Sequence, residues 1–183
     1  MTVRTDEAAS VDDLLAVLRL GAARADEGPY TNLEHALQCA ELLSHVAPED
    51  LELQAAGLLH DVGHDLVPGD DAGHGRHGAT FVRPVLGDRV ADLIELHVPA
   101  KRWLVTVDPA YRARLSSVSV RTLAAQGSEL DAGGRAAFEA HPHHRDAVVL
   151  RRADEGAKVE GLRVGGLEQW VPVLEAVSAA RRH

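Results

Sequence analysis

Hydrophobic and polar positions repeat with the period of an α-helix along most of the chain. In Val11–Ala23 apolar side chains recur every three to four residues, which predicts an amphipathic helix. Ala25–Pro29 interrupts the pattern with charge, Gly and Pro and predicts a loop. The next apolar stripe predicts a second helix that ends at about His45 and is capped by Thr31 or Asn32.

The remaining pattern predicts further helices and no paired strands. A strongly apolar helix is predicted over 50–64, and the Gly-, Asp- and Pro-rich segment 65–73 predicts a loop. Further helices are predicted at about 75–86, 88–97, 117–125, 132–139, 143–158 and 168–181, with short pieces at 99–105 and 109–115. Residues 161–166 (GLRVGG) predict a turn or a short hairpin strand.

Composition supports one helical domain. The 183 residues are 45% hydrophobic and only 3% aromatic, and Ala, Leu and Val favour packed helices over a sheet. We therefore predict a single-domain, all-α helical bundle. Residues 1–29 would form an N-terminal helix and lid loop, 30–160 the core, and 161–183 a C-terminal turn and helix.

Charge and cysteine content restrict the partners. A net charge of −9 argues against nucleic acid or an anionic membrane, but a local basic pocket with metal ions can still bind a small anion. The single cysteine, Cys39, excludes an internal disulfide, and residues 1–10 lack the pattern of a signal peptide. No apolar stretch is long enough to span a bilayer. These features predict a cytoplasmic protein and leave its oligomeric state open.

The main chemical signal is His60-Asp61-Val62-Gly63-His64, at the end of the apolar helix predicted over 50–64. On one helix His60 and His64 lie on nearly the same face, with Asp61 beside them. A buried carboxylate between imidazoles is costly unless a positive charge compensates it, and a carboxylate can bridge two metal ions. An ordinary polar helix end is the alternative, because a His-Asp pair alone is common.

Other candidate ligands strengthen the metal hypothesis. Four of them lie near predicted helices, namely His35, His74, His97 and Asp154. With His60 and Asp61 they form a nitrogen and oxygen ligand set that suits iron, manganese or zinc. If Asp61 bridges, one ion could bind His35, His60 and Asp154, and the other His74 and His97.

Polar residues at helical spacing follow these ligands. Lys101 lies four residues after His97. Two further rows of polar residues each have the spacing of one helix face. The first row is Ser119, Thr122 and Gln126, and the second is Arg151, Asp154 and Lys158. Hydroxyl, amide and cationic side chains suit phosphate or phosphonate oxygens. Two solvated helix faces are an equally good interpretation.

Together these residues resemble the HD superfamily. More closely, the chain is similar to PhnZ-type mixed-valent di-iron oxygenases that cleave organophosphonates, HD-domain relatives of myo-inositol oxygenase. The resemblance is carried, in family order, by LEHALQCA (33–40), LLHDVGH (58–64), HVPAKRWL (97–104), 115–127 and RRADE (151–155). The segment 97–104 is the most specific, because general HD phosphohydrolases do not share it.

The resemblance implies a site and a reaction. One iron would bind His35, His60, Asp61 and Asp154, and the other Asp61, His74 and His97, with His74 preferred over His77. The residues around the phosphonate would be His64, Lys101, Ser119, Thr122, Gln126 and Arg151, and the catalytic ones Asp61, His64 and Lys101. The implied activity is O2-dependent cleavage of the C–P bond of a small 1-hydroxyphosphonate, which yields phosphate and a carboxylic acid.

Two other functions remain. A metal-dependent HD phosphohydrolase acting on a phosphomonoester or nucleotide needs only the first metal group and gives His74 and His97 no required role. A non-catalytic module that binds a nucleotide signal is the third hypothesis, and the complete ligand set speaks against it.

The chain departs from the resembled family in two places. The family carries a Tyr and a Glu ten and seven residues before its first His, where this chain has Ala25 and Gly28. In the family that pair binds the substrate's amine and closes the site, so an amino-phosphonate substrate is in doubt here. Glu27 and Tyr30 are the candidate lid residues. Ala153 replaces an aromatic residue before the last Asp and would widen the pocket.

Overall fold

The computed structural model describes residues 7–25 and 28–181. Its helices are α1 (Val11–Leu20), α2 (Asn32–Val46), α3 (Leu51–Leu59), α4 (Val62–Leu66), α5 (His74–Leu86), α6 (Asp88–Val107), α7 (Pro109–Ala113), α8 (Ser117–Ala125), α9 (Ala132–Ala140), α10 (His144–Gly156) and α11 (Val171–Ala180), with 3-10 turns at Gly21–Ala23 and Leu167–Trp170. These residues contain no strand, so the all-α prediction is confirmed.

Short polar side chains fix where several helices begin. Thr31, rather than Asn32, caps α2, and its hydroxyl accepts from the Glu34 amide while the Glu34 carboxylate accepts from the Thr31 amide. The carboxylates of Asp50 and Asp131 accept amides in the first turns of α3 and α9 in the same way. Each cap satisfies an amide that has no partner inside its own helix.

The core lies where α3 and α6 meet their neighbours. The central helix α3 packs against α2, α6, α10 and α11, and α6 also packs along α5 and α10. The apolar side chains at this centre include Leu43, Leu59, Phe81, Ile94 and Leu150, all of them fully buried. Removing this apolar surface from water is the main driving force for the bundle.

The helix predicted over 50–64 is broken, and that prediction is wrong. Helix α3 ends at Leu59 and α4 begins at Val62, so His60 and Asp61 lie in the turn between two helices. Asp61 has φ −104° and ψ 4°, which is outside the helical region. The shared face expected for His60 and His64 is therefore lost, and the two rings face different neighbours.

The break predicted at Pro99 is also absent. Helix α6 runs without interruption through 88–107 with Pro99 inside it. Proline removes one backbone donor, and the packing of α6 against α5, α3 and α10 outweighs that loss. The turn before α6 does occur, at Gly87, whose φ of 89° suits a residue without a side chain.

The C-terminal segment contains the predicted turn and not the hairpin strand. Gly161 has φ 70°, and residues 162–166 form neither helix nor strand before the 3-10 turn at Leu167. Among the described residues, no helix combines the length and the apolar character needed to cross a membrane.

Burial makes Cys39 chemically silent in the folded protein. Its side chain is 0% exposed, and burial raises the pKa of the thiol to about 12. We expect Cys39 to resist a disulfide reagent such as DTNB at pH 8 and to react within seconds in 6 M guanidinium, because only the thiolate attacks. Stoichiometric reaction of the native protein at the denatured rate would contradict this prediction.

Candidate metal centre

Four buried histidines are oriented by the backbone. In each ring Nδ1 faces a main-chain carbonyl, and the pairs are His35 with Ala157 (3.3 Å), His60 with Gly57 (2.8 Å), His74 with Asp71 (2.6 Å) and His97 with Ile94 (2.5 Å). A carbonyl only accepts, so Nδ1 carries the hydrogen in every case. Each Nε2 therefore presents a lone pair, which is the form of imidazole that binds metals.

The Asp61 carboxylate lies between two pairs of these rings. Its Oδ2 is 3.5 Å from Nε2 of His35 and 3.2 Å from Nε2 of His60. Its Oδ1 is 3.4 Å from Nε2 of His74 and 3.6 Å from Nε2 of His97. Two donors that bind one ion at about 2.1 Å lie roughly 3 Å apart, so these separations suit a shared cation on each side of the carboxylate.

Asp154 completes the group around His35 and His60. Its side chain is 2% exposed, with Oδ1 3.2 Å from Nε2 of His35 and Oδ2 3.8 Å from Nε2 of His60. Nε2 of both histidines and Oδ1 of Asp154 are buried without a hydrogen bond to any described residue. Buried lone pairs that converge without donors fit a bound cation.

In the second group, the Nε2 lone pairs of two histidines face each other directly. Nε2 of His74 and Nε2 of His97 are 2.9 Å apart, although the other nitrogen of each ring already carries the hydrogen. Two facing lone pairs at this distance repel unless a proton or a metal ion lies next to them. The residues present therefore fit a metal ion in each group.

Electrostatics around the centre favour positive charge. Burial raises the pKa of Asp61, but the positive charge of His60 brings that pKa well below its ordinary value. Burial lowers the pKa of His60, but Asp61 and Asp154 raise it overall. Burial and the nearby His74 hold the pKa of His97 well below its ordinary value, so this ring stays neutral. Carboxylates that attract a proton to His60 attract a metal ion equally well.

Gly63 fixes the position of His74. A side chain on Gly63 would place its Cβ 1.9 Å from the carbonyl oxygen of His74, so α4 and the start of α5 are in direct backbone contact. His64, one residue later, stacks on the His74 ring with centroids 4.1 Å apart. This contact brings His74 to the end of α3 across the predicted loop 65–73.

The structure brings all the sequence-predicted metal ligands into one cluster. His35 comes from α2, His60 and Asp61 from the turn after α3, His74 from α5, His97 from α6 and Asp154 from α10. His77 is separate from it, because Nε2 of His77 contacts Oδ2 of Asp70 at 2.8 Å. Candidate ligands spread over more than a hundred positions thus meet at one point.

Most of the predicted phosphonate contacts form a second, connected network beside Asp154. Lys101 Nζ donates to Thr122 Oγ1 at 2.6 Å, and Arg151 donates through Nη2 to Ser119 Oγ at 3.3 Å and through Nη1 to Asp154. Gln126 has a buried amide oxygen without a hydrogen bond to a described residue. His64 lies on the other side of the centre, against His74.

Of the candidate lid residues, Tyr30 can be located. It is 6% exposed and its ring stacks on His35 at a centroid distance of 5.7 Å. Gly28 packs on the Tyr30 ring, and a Cβ there would lie 2.9 Å from a ring carbon. Glu27 is outside the described residues. Tyr30 thus packs against His35, one of the candidate ligands of the first metal group.

Two residues of this network are absent from the sequence prediction. Tyr111 accepts from Arg151 Nε at 2.7 Å through its hydroxyl, and Glu155 accepts from Arg151 Nη2. The spacing of Arg151 and Glu155, four residues apart on one helix, is a signal that could have identified Glu155. Tyr111 carries no such signal, because it lies forty positions from its partner.

Comparison with known proteins places this arrangement in a family. The model of the HD domain matches residues 32–155, the segment from which all these ligands come. This chain belongs to the HD domain family. The chain is 41% identical over 157 residues to a hydroxymethylphosphonate dioxygenase from Gimesia maris. This match covers 80% of the chain and 77% of the relative.

A second relative catalyses a related reaction according to its name. This HD-domain protein is 29% identical over 155 residues to a 1-hydroxy-2-(trimethylamino)ethylphosphonate dioxygenase (glycine-betaine-forming) from Leisingera caerulea. The match covers 80% of this chain and 79% of the relative. The family resemblance expected from the sequence segments is confirmed.

Replacing Gly63 by Ala tests the backbone contact that fixes His74. We expect Gly63→Ala to lower the free energy of unfolding by about 2 kcal/mol or more, because no rotamer relieves a clash with backbone. Thermal unfolding measures the loss. Gly133→Ala is the matched control, since its Cβ would meet only Asp131 Oδ1 at 3.6 Å. That helical substitution should stabilise by up to about 1 kcal/mol, and equal effects of the two would refute the explanation.

Proposed function

We propose that this protein is a di-iron oxygenase that uses O2 to cleave the C–P bond of a small 1-hydroxyphosphonate. Hydroxymethylphosphonate is the proposed substrate, since the relative at 41% identity is named for its oxidation. The overall reaction balances as hydroxymethylphosphonate plus O2 giving formic acid and phosphoric acid. Both oxygen atoms of O2 are required, and no external reductant is consumed.

The observation that carries the proposal is the Asp61 carboxylate with one oxygen toward each pair of histidines. A mononuclear hydrolase needs only His35, His60, Asp61 and Asp154. The convergence of His74 and His97 on Asp61 Oδ1 has no use in such an enzyme. Two ions that share Asp61 as a ligand would give both groups a role.

We assign the first ion to His35, His60, Asp61 and Asp154 and the second to Asp61, His74 and His97. When bound, iron ions lower the pKa of a coordinated alcohol and supply the redox chemistry that O2 requires. Zinc binds similar ligands but has no redox chemistry, so it would fill the site without supporting this reaction.

The protein's own side chains would bind and orient the phosphonate. Lys101 and Arg151 are buried cations, Lys101 bound to Thr122 and Arg151 to Asp154, and their charges would offset the phosphonate dianion in a site from which water is largely excluded. Thr122, Ser119 and Gln126 place hydroxyl and amide groups on the same side. His64 extends the polar lining next to His74, and Tyr30 covers His35.

The covering segment supports a small substrate. Gly28 contributes no side chain, and the space its Cβ would occupy is filled by the Tyr30 ring. The family position that carries a Glu to read an amine is therefore closed by an aromatic ring. An unsubstituted carbon next to the phosphonate is the substrate that fits this arrangement.

Metal content tests the assignment of His74. Wild type loaded anaerobically should hold two iron ions per chain, and His74→Ala should hold about one, because the first group keeps its ligands. Elemental analysis and the electron paramagnetic resonance signal of a coupled iron pair measure both. His77→Ala is the matched control, since His77 contacts Asp70 instead, and it should keep both ions. Full metal content in His74→Ala would contradict the assignment.

Oxygen dependence tests the reaction. Iron-loaded protein should release phosphate from hydroxymethylphosphonate in proportion to O2 consumed, and the zinc-loaded protein should release none. The trimethylamino-substituted 1-hydroxyphosphonate should react at least about tenfold more slowly by kcat/KM, because a bulky cation has no place under Tyr30.

The same assay separates the alternative function. Phosphate released at an equal rate under nitrogen, or from a phosphomonoester by the zinc-loaded protein, would replace the oxygenase by an HD phosphohydrolase.

A further inference from the structure

Helix α8 and the residue that caps its C-terminus, Gln126, carry three of the proposed phosphonate contacts, yet α8 has little apolar anchoring. Within α8, all of whose residues are described, the buried side chains are Ser119, Thr122 and Leu123, and only Leu123 is apolar. Val120 on the opposite side is 55% exposed. The position of α8 over the site therefore depends on polar contacts.

Glu155 supplies the contacts that join the start of α8 to α10. Its Oε1 accepts the backbone amide of Ser116 at 2.8 Å, and its Oε2 accepts the hydroxyl of Ser119, also at 2.8 Å. Oε2 accepts in addition from Nη2 of Arg151 at 2.5 Å. The side chain is only 12% exposed, so these charge-assisted bonds are poorly replaced by water.

The hydrogen bond to Glu155 also determines whether the Ser119 hydroxyl donates to its other neighbours or accepts from them. A hydroxyl has one hydrogen to donate and two lone pairs. The hydrogen of Ser119 goes to Glu155, while Lys158 Nζ and Arg151 Nη2 lie 3.1 and 3.3 Å from the same oxygen as donors. Ser119 is thus an acceptor for two cations, and it holds them side by side.

Glu155 also limits how strongly Arg151 pairs with Asp154. Nη1 of Arg151 already donates to Asp154, one of the proposed ligands of the first ion. Glu155 and Tyr111 hold the Nη2 and Nε groups of the same guanidinium. Without Glu155, Arg151 has one strong anionic partner left, and the cation would be drawn toward Asp154 and away from substrate.

We propose that Glu155 is a positioning residue that sets the oxyanion-binding side of the site, by fixing α8 against α10 and by holding Arg151 and Ser119. The inference rests on the proposed function only for the identity of the anion. Glu155 acts through these neighbours and does not touch substrate.

Steady-state kinetics of Glu155→Ala and Glu155→Gln test the proposal. In Glu155→Ala we expect KM for hydroxymethylphosphonate to rise about tenfold or more, with kcat and iron content within about twofold of wild type. The KM of Glu155→Gln should lie between those of wild type and Glu155→Ala, because the glutamine amide oxygen still accepts one hydrogen bond but carries no charge to pair with Arg151. Glu160→Gln, an exposed acid five residues later, is the control and should match wild type. Loss of kcat or iron with unchanged KM would indicate a general structural role and overturn the proposal.

Two further measurements do not depend on turnover. Calorimetric titration with inorganic phosphate should show about tenfold weaker binding to iron-loaded Glu155→Ala, and hydrogen exchange should be faster across residues 116–126 of that variant. If wild type binds phosphate but oxidises no phosphonate, weaker binding in Glu155→Ala would keep the positioning role while the proposed function fails. Equal phosphate affinity and equal exchange in the two proteins would overturn the positioning role.

Discussion

The structure is organised around one largely buried carboxylate that faces four imidazole lone pairs. Asp61 has one oxygen directed to His35 and His60 and the other to His74 and His97. Unpaired lone pairs around a carboxylate are unfavourable in a protein interior. Bound cations would remove this cost, and the fold brings five helices or helix ends together at that point.

The backbone prepares the ligands before any ion binds. Main-chain carbonyls hold Nδ1 of each ring, so no side chain has to reorient to present Nε2. The break between α3 and α4 has the same effect, since it directs His60 and Asp61 to the centre and leaves His64 to stack on His74. A straight helix through this segment could not do both.

Beside the centre lies a chain of cations and hydroxyls that suits an oxyanion. Lys101, Arg151 and Lys158 are positive in a protein whose net charge is −9. Arg151 pairs with Asp154 and Glu155, and Lys158 Nζ lies 3.6 Å from Asp154 Oδ1. The local balance of charge, rather than the overall one, thus decides which ligands the site favours. Near the first metal group the Tyr30 ring stacks on His35, and the absent side chain at Gly28 leaves room for that ring.

The sequence by itself determined the helical class, most helix bounds and the six candidate metal ligands, because periodicity, capping residues and motif spacing are local properties. It failed at the break after Leu59 and at Pro99, where contacts with other helices outweigh local preference. Only the tertiary structure paired His77 with Asp70 and Arg151 with Tyr111, and revealed Glu155 as a link between α8 and α10. Such partners lie far apart along the chain, so their meeting depends on how the helices pack.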